Sequence, residues 1–132
     1  RDPPMARPPR SIDVPRPSHK APIPAAARVA NILCTSAVSG KDPASGQLPA
    51  AVGGQVKNAF ANLRAVLAAG GASLDQVVKF SITLHDDSVR EAVNAEWMAA
   101  FPDPQDRPAR HITVHPLQHG MLLQLEVIAV VQ

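Results

Sequence analysis

Tyrosine is absent from these 132 residues, tryptophan occurs once (Trp97) and phenylalanine three times (Phe60, Phe80 and Phe101). So few aromatics argue against a platform on which single-stranded nucleic acid could stack. They also leave the core to Val, Leu, Ile and Ala. Cysteine is nearly missing: Cys34 is alone, so no intrachain disulfide can form. A reducing, cytoplasmic setting is the natural reading of that usage. No apolar run has the length of a membrane-spanning helix, and no charged n-region followed by an apolar h-region precedes the domain. The formal charge of +2 is small, and the basic excess lies mostly at the start, where Arg1, Arg7, Arg10, Arg16 and Lys20 face only Asp2 and Asp13. Elsewhere the charges nearly balance, which excludes a basic field suited to nucleic acid. Phosphate-binding glycine loops, a nucleophile elbow, a dinucleotide fingerprint, a His-Glu-x-x-His pattern and paired cysteines are all lacking, so neither a cofactor nor a metal is expected.

Proline, in contrast, is plentiful. Pro3, Pro4, Pro8, Pro9, Pro15 and Pro17 mark residues 1–18 as an extended or disordered arm, because proline lacks a donor and the segment has little to bury. Residues 19–132 form one globular domain. Val29, Ile32, Leu33 and Cys34 read as a buried strand, with Cys34 an inert core thiol. Helical periodicity follows at Val52, Val56, Phe60, Leu63 and Leu67, and Gly70-Gly71 stops it. Ser73-Leu74-Asp75-Gln76 has capping-box spacing. Val77 to Leu84 alternates, placing Val78, Phe80, Ile82 and Leu84 on one face of a half-buried strand. Ser88-Val89-Arg90-Glu91 is a second capping box opening a helix to Phe101, with Val89, Val93, Trp97 and Phe101 facing the core. Pro102, Pro104 and Pro108 force a loop. Two strands, Arg110 to Val114 and Leu122 to Val131, close an α+β fold whose elements follow an early strand or hairpin.

Within this order one constellation carries chemistry. Arg110 opens a strand after Pro108-Ala109, and the final strand inserts Gln124 and Glu126 among aliphatics. An arginine facing such a strand reads as a small-carboxylate site, since a planar, permanently charged fork grips a carboxylate through two parallel hydrogen bonds. His85, His111, His115 and His119 read as ordinary loop and surface histidines. His111 alternates away from Arg110, while His115, near that strand, is a candidate base.

Several motifs together resemble one family. They are Asn31-Ile32-Leu33-Cys34-Thr35-Ser36, Asp42-Pro43 with Gly46, Gln55 through Leu63 with Asn62, and Gly71 through Lys79. Val93-Asn94, Pro108-Ala109-Arg110 and Leu125 through Val130 complete the set. In order and spacing these are similar to the reactive-intermediate deaminases, the YjgF-like or Rid family, over about residues 19–131. Ser11-Ile12-Asp13-Val14-Pro15, Trp97 and Arg110-His111 look like a less-studied branch.

The resemblance implies a chorismate-mutase-like fold, a mixed sheet with two helices on one face, and a homotrimeric barrel with ligand clefts between subunits. It implies hydrolysis of small enamine or imine carboxylates to 2-keto acids and ammonia. Arg110 matches the carboxylate-holding arginine, and Ile112 stands where a cysteine is usual and would offer its backbone N–H. Ser36, Ala37 and Ile23 match cleft positions, with a methyl at Ala37 where glycine is usual and Ile23 where tyrosine is usual. Asn94 matches an asparagine near the cleft. Gln124 occupies the place of the catalytic glutamate, and a neutral amide can orient water but cannot take its proton near neutral pH. Glu126 lies two residues on, displaced by about 6 to 7 Å along the strand. The leading expectation is an imine deaminase that uses Arg110 and Gln124. The alternative is a non-catalytic trimer that binds small carboxylates as a sensor or scavenger. A ribonuclease, a label carried by some relatives, fits neither the small charge nor the missing catalytic histidine pair.

Overall fold

The chain's computed structural model describes residues 7–17 and 19–132. Six strands form one sheet in the order β1-β2-β3-β6-β4-β5. They are β1 (Ser11–Ile12), β2 (Ala26–Val29), β3 (Ile32–Thr35), β4 (Val77–Leu84), β5 (Ala109–Val114) and β6 (Leu123–Val130). Two helices, α1 (Val52–Ala69) and α2 (Arg90–Ala100), pack beside each other. β4 and β5 pair in parallel and all other pairs are antiparallel. A parallel pair needs a crossover, and α2 supplies it.

Alternation assigns the two faces of the sheet. Leu33, Phe80, Ile82, Leu84, Leu123 and Leu125 are buried under the helices. The intervening residues, among them Ser81, Thr83, Gln124 and Glu126, point to the other face, which no helix covers. Within the aliphatic core the four aromatics are not scattered. Phe80 stacks on Phe60 at 5.6 Å and meets Trp97 and Phe101 edge-on at 5.3 and 6.2 Å. The core therefore has an aromatic centre, which scarcity of aromatics in the sequence had not suggested.

Four expectations need correction. The span Ala27 to Ser36, read as one strand, is a hairpin: Ala30, at φ 53°, turns the chain between Val29 and Ile32. Val29, Ile32 and Cys34 consequently face the uncovered side and are exposed, so Cys34 is no core thiol. A β-bulge between Val77 and Lys79 shifts the register, burying Val77 and leaving Val78 51% exposed. The cap preceding α2 is Asp86, not Ser88: its carboxylate accepts from the Ser88 backbone N–H at 2.9 Å. The Ser73 box, in contrast, forms as read, with Gln76 Oε1 accepting from Ser73 N–H at 3.2 Å. Part of the proline-rich arm is also sheet. Ser11–Ile12 pairs with Ala26 and Ala27, and Ile12 and Val14 pack on the core. Residues 1–6 and 18 of that arm lie outside the described residues.

Among the described residues one polar side chain is buried in this core, Gln55 on α1. Its amide donates to the carbonyls of Pro49 (2.9 Å) and Gly120 (3.0 Å) and accepts from Leu122 N–H at 3.0 Å. Gln55 thereby ties the loop that delivers β6 to the first turns of α1. Gly40 packs so closely there that a Cβ would clash with the Gln55 carbonyl. Gln55→Leu keeps the volume but leaves these backbone groups without partners. The expected loss is about 3 kcal/mol, read as a lower urea midpoint at unchanged slope.

Candidate active site

Arg110 enters the site from β5, the outer strand of the sheet. Its register partner on β4 is Phe80, so its side chain lies on the helix-covered face. There it crosses the Trp97 ring, with the guanidinium carbon 4.9 Å from the ring centre. Nη1 donates to Asn94 Oδ1 at 2.9 Å. Asn94 and Trp97 are three apart on α2 and share a helix face, which is why both reach the same guanidinium. Desolvation, and secondarily the positive charge of Arg90, push the Arg110 pKa below its ordinary value. No carboxylate pairs with Arg110 among the described residues. A half-buried cation, fixed by one amide and one ring and lacking an anion, is suited to accept a carboxylate. Ile112 shares this face, opposite Ile82 on β4, and is half-buried.

Gln124 is elsewhere. It pairs with Thr83 and points to the uncovered face. β4 lies between β5 and β6, so the two backbones are about 10 Å apart. Arg110 and Gln124 therefore do not face each other within one chain, contrary to the reading of the two strands from sequence. The Gln124 amide nitrogen touches Met121 Sδ at 3.6 Å. Glu126 shares the Gln124 face, opposite Ser81, and is exposed.

Ser36, Ala37 and Ile23 lie towards the Gln124 side of the sheet. After β3 the chain leaves the ladder at Ser36 and Ala37, and Val38 pairs again with Leu125. Ser36 Oγ donates to the Pro24 carbonyl at 2.8 Å, which occupies its hydroxyl proton and holds the segment containing Ile23. Ile23 is exposed, and its carbonyl accepts from Arg16 at 3.0 Å. The anticipated residues thus fall into two separate groups. Arg110, Asn94 and Ile112 lie at one edge, and Gln124, Ser36, Ala37 and Ile23 lie across the sheet from it.

His85 and His115 stay outside both, whereas His19 Nε2 lies 3.2 Å from the Ile23 carbonyl. His115 follows β5 about 16 Å along the chain direction from Arg110, with Nδ1 at 2.8 Å from the Pro116 carbonyl. His85 Nδ1 accepts from Leu117 N–H at 2.8 Å, a loop-bracing role. Among the described residues no group of three His, Cys, Asp or Glu side chains could hold a metal. Two contributors were missed in the sequence reading: Trp97, assigned only to the core, and Arg90. Both lie at helical spacing from Asn94, at three and four residues, and that spacing was the available signal.

A family model described as endoribonuclease L-PSP matches residues 15–131. The 2-iminobutanoate/2-iminopropanoate deaminase of Mus musculus is 33% identical over 110 residues, covering 83% of this chain and 81% of its own. The mitochondrial protein mmf1 of Schizosaccharomyces pombe is 36% identical over 97 residues, 64% of this chain and 59% of its own. Among solved structures, RidA from an Antarctic Psychrobacter superimposes with a TM-score of 0.83 at 29% identity, covering 92% of this chain and 98% of that one. With sheet, helices and motifs all accounted for over nearly the whole chain, it belongs to the endoribonuclease L-PSP family, the YjgF-like or Rid reactive-intermediate deaminases.

Proposed function

We propose that this chain hydrolyses small 2-imino carboxylates, and their enamine tautomers, to 2-keto acids and ammonia. The observation that carries the reading is the unpaired guanidinium of Arg110, fixed by Asn94 and Trp97 on the frame of a family whose mouse member is named as an imine deaminase. Arg110 grips the substrate carboxylate, which fixes the adjacent imine carbon for attack, a gain from orientation rather than from charge transfer. Water adds to that carbon, forming a C–O bond and a carbinolamine. The C–N bond then breaks, ammonia leaves and the keto acid remains. Gln124 orients the water through its amide, and with no proton-accepting carboxylate at that position the proton transfers run through water.

The split between half-sites supports a cleft assembled from two copies. One copy supplies Arg110, Asn94 and Ile112 from its β5 edge. A neighbouring copy supplies Gln124, Ser36, Ala37 and Ile23. Three copies closing around the uncovered sheet faces would give the chorismate-mutase-like homotrimeric barrel. That closure would also cover Val29, Ile32 and Ile128, which stand exposed on that face. The alternative of a non-catalytic binder would account for the amide at Gln124, but the relatives named as imine deaminases favour hydrolysis.

Arg110→Ala is expected to abolish keto-acid release from freshly generated 2-iminopropanoate, while its melting temperature stays near that of the parent protein. Arg110→Lys, which keeps charge but not the fork, should retain less than about one tenth of the activity. The parent protein giving no acceleration over buffer across a panel of imino acids would refute the assignment. A mixing experiment tests the shared cleft. Arg110→Ala and Gln124→Leu proteins, each inactive, are unfolded and refolded together. Random assortment in a closed ring should regenerate roughly one quarter of the parent sites. A site confined to one chain would regenerate none.

A further inference from the structure

Arg110 as the clamp for one carboxylate leaves open what the rest of the substrate meets, and α2 bears on that question. Asn94 and Trp97 both touch Arg110. Arg90 stands one turn before Asn94, and residues four apart on a helix are neighbours on one face, about 6 Å between Cβ atoms. β4 and β5 run parallel, and α2 returns between them. The first turn of α2 therefore lies towards the later residues of β5. This sets Arg90 beyond Arg110 in the direction of Ile112, which shares the Arg110 face. The two cations are close enough to interact, since Arg90 contributes to lowering the Arg110 pKa.

Two guanidiniums on one rim repel each other, and only an anion between them turns that cost into binding. Arg90 is partly engaged: Nε donates to Asp87 at 2.8 Å. Its terminal nitrogens have no partner among the described residues. Asp87 is itself 74% exposed, so it neutralises Arg90 weakly. A surface pair of that kind contributes little to stability. The first turn of α2 adds a positive field at the same place.

We propose that Arg90 determines specificity by receiving a second anionic group, so that the preferred ligands are 2-imino dicarboxylates of four or five carbons and their 2-keto products. The carboxylate beside the imine carbon sits on Arg110, and the distal carboxylate sits on Arg90. Ile112 faces the methylene carbons between them. One helical turn, about 5.4 Å, is on the scale of the gap between two such carboxylates. This rests on the reading of Arg110 as the first clamp.

The test compares 2-oxoglutarate with 2-oxobutanoate by calorimetry, and the corresponding imines, generated in situ, by initial rate. The parent protein should bind 2-oxoglutarate at least about tenfold more tightly, equivalent to about 1.4 kcal/mol. In Arg90→Gln the ratio of the two affinities should fall towards one, and Arg90→Lys should keep part of it. Equal affinities in the parent, binding of neither keto acid, or a ratio untouched by Arg90→Gln would each overturn the proposal. Discrimination between keto acids with hydrolysis of neither imine would sink the hydrolase reading and leave dicarboxylate recognition standing. Hydrolysis of both imines without preference would do the reverse.

Discussion

The contact of Trp97 with Phe80 on one side and Arg110 on the other joins the core to the site. Phe80 sits at the centre of the aromatic cluster, and Trp97 meets it edge-on at 5.3 Å. Trp97 also lies 4.7 Å from Phe101, so its ring is fixed from two directions. The face left over carries the guanidinium. An arginine placed on a ring already locked by packing loses less freedom on binding than one on a loop, which is the physical content of preorganisation here. Asn94 then sets the rotation of the fork. A chain with four aromatics has used all of them to build one rigid support.

Sheet parity does the rest of the arrangement. Because β4 separates β5 from β6, and because alternate residues face opposite sides, Arg110 and Gln124 cannot converge in one chain. The helix-covered face holds the cation and the uncovered face holds the amide. An edge strand with an unpaired side invites association with a second molecule. The exposed aliphatics of the uncovered face are of the kind that a neighbouring copy buries. The same geometry keeps Arg110 and Gln124 apart within a chain, which is the ground for the proposed cleft between copies.

The helices and the last three strands were legible because their burial follows simple periods, and α1 ends at Gly70 as composition required. Other features were not. The bulge at Val77 and Lys79 breaks alternation without any local residue that announces it. The hairpin turn uses Ala30 at φ 53° rather than glycine, so the usual turn signal was missing and one strand was read where two stand. Asp86 displaced Ser88 as cap because both residue types suit the position, and only the chain path chooses between them. Cys34 looked buried by its neighbours and is exposed by its register. Its solitude does not assign a compartment either, since the relative from Schizosaccharomyces pombe is mitochondrial.

The sequence by itself determined the family and the α+β class, because those depend on motif order and on periodicities that travel with the residues. It also determined that Gln124 cannot act as a base, which is a property of an amide wherever it sits. Only the tertiary structure decided which residues meet. Strand order placed β4 between the strands that carry Arg110 and Gln124. Parity turned Gln124 away from Arg110, and the path of α2 set Arg90 one turn before Asn94, which holds Arg110. Those are properties of non-local pairing, set by how distant segments bury one another, and no local pattern encodes them.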